Sequence, residues 1–75
     1  MKSKNIFVVY NTDTWNRNAY FLGVFTTKKK AIKQIIAHSN NKLSKDDLFD
    51  LEHQNQTQGR QSNYDIEITV LNPNL

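Results

Sequence analysis

The sequence predicts an α+β domain of order β-β-α-α-β. Its three-stranded antiparallel sheet is packed by one main amphipathic helix (about 27–38) and a short second helix (about 45–54). Three observations predict this. Two runs of β-branched and aromatic residues stand near the N-terminus, one strongly amphipathic stretch occupies the middle, and a strictly alternating run lies near the C-terminus.

The first run, Ile6–Phe7–Val8–Val9–Tyr10, is apolar on both faces, as in a strand covered above and below. Asn11 to Asn18 is rich in turn formers and predicts a loop. Ala19–Phe25 is the second strand, again apolar on both faces, and Gly23 inside it predicts a bulge or a close backbone approach. Sequential strands usually pair, so the two are expected to run antiparallel.

Thr26–Thr27 followed by KKKAIKQIIAH predicts the main helix, with either threonine as N-cap. At about 100° per residue, Ala31, Ile35, Ile32 and Ile36 fall within an arc of about 140°. The remaining arc is mostly cationic. Ser39–Asn40–Asn41 ends the helix. Ser44 is the expected N-cap of the second helix, with Asp46 and Asp47 in the first turn, where carboxylates favour the dipole. Leu48, Phe49 and Leu51 give it an apolar side, and it is expected to end between His53 and Asn55. Gln54–Ser62 has no apolar residue and predicts a loop, with Gly59 at its positive-φ position. In Tyr64–Leu71, Tyr64, Ile66, Ile68 and Val70 alternate with Asp65, Glu67 and Thr69, the pattern of a strand with one buried face. If the N-terminal strand is central, it joins Ala19–Phe25 on one side and Tyr64–Leu71 on the other.

A chain of 75 residues predicts one α+β domain over 1–75, with a modest core. It contains no cysteine, which excludes disulfides and thiolate metal sites. No apolar run approaches the roughly 20 residues of a bilayer span, and Met1–Lys4 leads into no signal-peptide core. The expectation is a soluble, cytoplasmic protein without a membrane partner. Residues 1–42 carry eight Lys/Arg against Asp13, net +7, while residues 43–75 carry Lys45 and Arg60 against six acids, net −4. Such an asymmetry steers charged partners or pairs molecules head to tail, or simply belongs to solvated faces.

Two apolar-faced strands and one main helix leave a surplus. Either Phe7/Val9 with Phe21/Phe25, or Ile6/Val8/Tyr10 with Tyr20/Leu22/Val24, must be covered by the acidic helix, by the Trp15 loop or by another molecule. An apolar face left open would mark an interface, and small domains often recruit a second subunit.

Few residues suggest chemistry. Lys28, Lys29, Lys30 and Lys33 with the Thr26 and Thr27 hydroxyls suit a nucleic-acid backbone or an acidic protein surface, and equally suit a plain solvated helix face. Trp15 and Arg17 form either a contact hot spot or base-stacking pair, or a cover for the sheet. Arg60, within Gln56–Thr57–Gln58–Gly59–Arg60, is a further hydrogen-bonding candidate for a partner, and the same segment can instead tie the loop to the sheet. His38 and His53 have no ligand spacing for a metal. There is no nucleophile elbow and no nucleotide-binding glycine loop, and Asp65 and Glu67 share a face that resembles plain solvated surface. No catalytic, cofactor-binding or metal residue is therefore assigned.

The segment Gly23–Ala31 (GVFTTKKKA), with Gln56–Arg60 (QTQGR) and Asn63–Tyr64 before a final strand, resembles small uncharacterised bacterial and phage-borne proteins. In these, a G-x-F-[ST]-[ST]-K-x-K-A junction precedes a Q-T-Q-G-R…N-Y segment. The resemblance implies a compact α+β fold and origin on a mobile element; it brings no function, substrate or catalytic residue, and action by binding a host protein is an expectation from small phage-borne proteins in general. The leading expectation is a non-catalytic accessory protein that binds another protein, with a homodimer as one form of that. The alternative is a nucleic-acid-binding domain using Lys28, Lys29, Lys30, Lys33 and Arg17, with Trp15 or Tyr20 for stacking.

Overall fold

The alternating and doubly apolar runs pair into one sheet in a computed structural model of the protein, which describes residues 4–13, 17–58 and 62–71. The strands are β1 (Lys4–Asp13), β2 (Asn18–Phe25) and β3 (Ser62–Leu71). The helices are α1 (Lys28–His38) and α2 (Lys45–Gln54). The strand order is β2-β1-β3, all antiparallel, so the N-terminal strand is central: it pairs with β2 as predicted, and on its other side with β3, whose pairing the sequence left open.

β1 runs beyond Ile6–Tyr10 at both ends, and Asn11–Asp13, predicted as loop, are strand. They are paired on both sides: with Tyr20, Ala19 and Asn18 across the hairpin to β2, and with β3 far along the chain. Asn11 pairs with Tyr64, Thr12 with Asn63 and Asp13 with Ser62. The Asn11 amide donates to Ser62 Oγ at 2.7 Å and to the Asn63 carbonyl at 3.0 Å. Side-chain bonds of that kind hold turn-forming residues in an extended ladder against their local preference.

The bulge predicted at Gly23 is present and decides which side chains face which way. The β1–β2 register shifts between Val9, opposite Gly23, and Tyr10, opposite Phe21, which leaves Leu22 as the extra residue. Two residues against one send Leu22 inward and reverse the alternation beyond it. The strict alternation that grouped Phe21 with Phe7, Val9 and Phe25 is thus corrected: Leu22 packs with Phe7 and Phe25 against the core, and Phe21 faces away. Gly23 has φ +155, and a Cβ there would lie 3.1 Å from the Phe25 ring. Gly23→Ala is therefore expected to lose about 1–3 kcal/mol, from backbone strain plus the clash, as a lower urea midpoint at unchanged m-value.

α1 starts where the sequence places it. Thr27 is the N-cap, accepting from the Lys30 amide at 3.2 Å, and Ser39 is the C-cap. α2 begins with a full capping box. The Asp47 amide donates to Ser44 Oγ at 3.1 Å, and the Ser44 amide donates to Asp47 Oδ2 at 3.0 Å. Each such bond satisfies a helix-end donor. α2 ends at Asn55 in the left-handed conformation, φ 63, which asparagine tolerates better than most residues.

Both helices lie on one side of the sheet. Val9, Ala31, Ile35, Leu51, Tyr64 and Ile66 form one buried cluster, with Phe7, Leu22, Phe25, Ile32 and Leu43 packed around it. The segment after α2 then ties to the β3 edge. Ile66 N donates to the Asn55 carbonyl at 2.7 Å, and Thr57 N donates to the Tyr64 carbonyl at 2.9 Å. Buried Thr57 also accepts from the Tyr64 amide at 2.9 Å and donates to Asn63 Oδ1 at 3.1 Å. At Gln56–Thr57 the loop therefore serves the sheet. Gly59 lies outside the described residues.

Candidate binding surface

With both helices on one side, the even-numbered residues of β1 look out from the other. Register sets two cross-strand rows there: Val24–Val8–Glu67, and Phe21–Tyr10–Asp65. Each row runs apolar, apolar, acidic. Ile6 extends the apolar column along β1 opposite Thr69. Phe21 is 62% exposed and Val24 50%, while Ile6, Val8 and Tyr10 are half-buried. The Tyr10 and Phe21 rings meet edge to face with centroids 6.1 Å apart. Among the described residues, no helix covers this face. The acidic helix is excluded as its cover, because Leu51 anchors α2 in the opposite layer.

The face thus has an apolar centre on β1 and β2 and a carboxylate border on β3. Leaving a phenylalanine and a valine at least half in water forgoes about 25 cal/mol for each Å² that a partner could bury. Contiguous apolar exposure of this kind marks interaction surfaces.

The predicted contact residues that lie among the described ones fall elsewhere. Trp15 and Arg60 lie outside the described residues. Arg17 is exposed with φ 55, and Tyr20 is 49% exposed, its hydroxyl accepting from the Asn18 amide at 3.2 Å. Both sit at the start of β2, while Lys28, Lys29, Lys30 and Lys33 follow its far end. The length of β2 from Tyr20 to Phe25 separates the two groups by on the order of 20 Å. Lys28, Lys29 and Lys33 line a groove of about 630 Å³ with Ile32, Ile36 and Glu52. Lys28 Nζ donates to the Glu52 carbonyl there. The charge asymmetry of the two sequence halves becomes, in space, a cationic α1 packed beside an anionic α2.

His38 has a role the sequence does not show. Its Nδ1 lies 2.8 Å from the hydroxyl of buried Tyr64, and the two rings meet edge to face. Burial raises the Tyr64 pKa above its ordinary value of 10.0. A raised pKa means the native state resists losing that proton, so its stabilising effect holds below the unfolded value and is lost as pH rises through the folded one. Stability is therefore expected to fall above about pH 10. An alkaline denaturation series read against Tyr64→Phe checks this, since the variant lacks that proton and should show a shallower decline. His53 instead stacks on Phe49, centroids 4.1 Å apart. Among the described residues, no three His, Cys, Asp or Glu gather closely enough to hold a metal ion. No described helix is long and apolar enough to cross a membrane.

Fold and surface together define a class: a two-layer α+β domain with helices on one side of a three-stranded sheet and an apolar, acid-bordered face on the other. No family model matches the chain, and neither does any curated protein or solved structure.

Proposed function

We propose that this protein is a non-catalytic accessory protein that binds another protein through the open face of its sheet. The observation that carries the proposal is the uncovered pair Phe21 and Val24 beside Tyr10, Val8 and Ile6. Asp65 and Glu67 along one border favour a partner whose own apolar patch is flanked by lysine or arginine. The sequence resemblance to bacterial and phage-borne proteins brings no function with it; it fits a mobile element as the source, for which a host protein is the class of partner to seek. Capture from the native host should recover one protein in stoichiometric amount with the wild type, and none with Phe21→Ser/Val24→Ser. Recovery of nucleic acid alone, or of the same protein by both, would refute the proposal.

A second function is favoured by one observation: Lys29, Lys30 and Lys33 are exposed on a single helix. Nucleic acid bound there would dissociate steeply with salt and be lost on charge reversal at those three lysines. The distance to Arg17 and Tyr20 and the adjacent acidic helix weigh against it.

A further inference from the structure

We infer that the helical layer, independently of the sheet face, is a self-association surface on which a second copy of this chain docks its α2 against α1. The groove beside α1 has an aliphatic floor, Ile32 and Ile36, with Lys29 and Lys33 along one rim and Glu52 of α2, whose carbonyl accepts from Lys28 Nζ, closing another side. It therefore selects an apolar side chain flanked by carboxylates. α2 carries that combination. Phe49 is 58% exposed, backed by His53, with Asp46 exposed and Asp50 half-buried beside it.

The spacing matches as well as the charge. Ile32 and Ile36 are one turn apart, as are Lys29 and Lys33, Phe49 and His53, and Asp46 and Asp50. On a helical projection the lysine pair flanks the isoleucine pair on the same hand as the aspartate pair flanks Phe49 and His53. Two such stripes facing each other in antiparallel sense bring lysine edge to aspartate edge, and bring Phe49 over Ile32 and Ile36. Because groove and knob sit on neighbouring helices of one layer, a two-fold axis satisfies both contacts at once. The open sheet faces then point outward on either side.

The size of the patch sets the strength. Helices of 11 and 10 residues offer a footprint of roughly 16 by 20 Å, below the ~800 Å² per partner of a standard interface. The dimer is accordingly weak, reversible and salt-sensitive.

Sedimentation equilibrium from about 10 to 500 μM tests this in the weak range such an interface implies. The wild type should rise from one chain mass toward two, less so at high salt, and Phe49→Ser should remain monomeric with an unchanged far-UV spectrum. Lys33→Glu and Asp50→Lys should each weaken association, and the two combined should restore it, because the swapped charges meet again across the axis. Phe21→Ser/Val24→Ser should dimerise normally, which separates this surface from the proposed partner face. A wild type monomeric throughout, a dimer indifferent to Phe49→Ser, failure of the double charge swap to rescue, or loss of association in the sheet-face variant would each overturn the inference.

Discussion

Leu51→Ala is expected to bring the protein close to unfolding. Leu51 is fully buried and is the apolar side chain by which α2 enters the shared core of Val9, Ala31, Ile35, Tyr64 and Ile66. Truncating a buried leucine costs about 2–5 kcal/mol, from lost transfer energy plus the cavity left behind. A chain of 75 residues has a total stability of only about 4–11 kcal/mol, so the loss is a large fraction of the whole. For a domain this small it lowers the melting temperature by on the order of 10–30 °C. The damage should concentrate at α2 and at the Asn55–Thr57 contacts it delivers to β3, where amide protection should vanish first. Thermal unfolding by circular dichroism reads the first effect, and residue-resolved hydrogen exchange the second. A melting point within a few degrees of wild type would mean that α2 does not belong to the core.

Phe21→Ser/Val24→Ser is expected to do the reverse, with little effect on the fold and a large effect on binding. Both side chains are at least half exposed, so their removal forfeits mainly strand propensity and the edge contact of Phe21 with Tyr10. Each of those is about 1 kcal/mol. Truncating a central aromatic anchor in an interface costs about 2 kcal/mol or more, roughly a 30-fold loss of affinity. Titration of the captured partner against wild type and variant, with urea unfolding of both, separates the two effects. A variant that unfolds in step with its loss of binding would place these residues in the core of the protein and not on its contact surface.

Much of this was legible in the residues. Thr27 and Ser44 mark their helices because a hydroxyl at that offset satisfies local donors, and Asp47 completes its box three residues on. The two apolar faces of β1 suited a central strand, but β2 shares that pattern and lies at the edge, so the pattern alone left the strand order open. What escaped local inspection depends on distant partners. Asn11–Asp13 have the composition of a loop and become strand because they are paired on both sides, by Asn18–Tyr20 across the hairpin and by residues about fifty positions away. Gly23 announced an irregularity, but not that Leu22 would be the extra residue, and only that detail turns Phe21 outward. The surplus of apolar strand faces is legible in the composition, but which side chains make up the open patch depends on the register. The Tyr64–His38 contact joins α1 to β3 across 26 positions, again beyond the reach of local pattern.

The central claim is that one sheet face is open in the isolated chain. Side-chain NMR relaxation by a soluble gadolinium chelate tests it most directly, at a concentration low enough to keep the protein monomeric. The Ile6, Val8 and Val24 methyl groups and the Phe21 ring should relax strongly, as exposed Phe49 does, while Ile35 and Leu51 stay protected. Protection of Ile6, Val8, Val24 and Phe21 at the level of Ile35 would contradict the account, because the face would then already be covered by the chain itself.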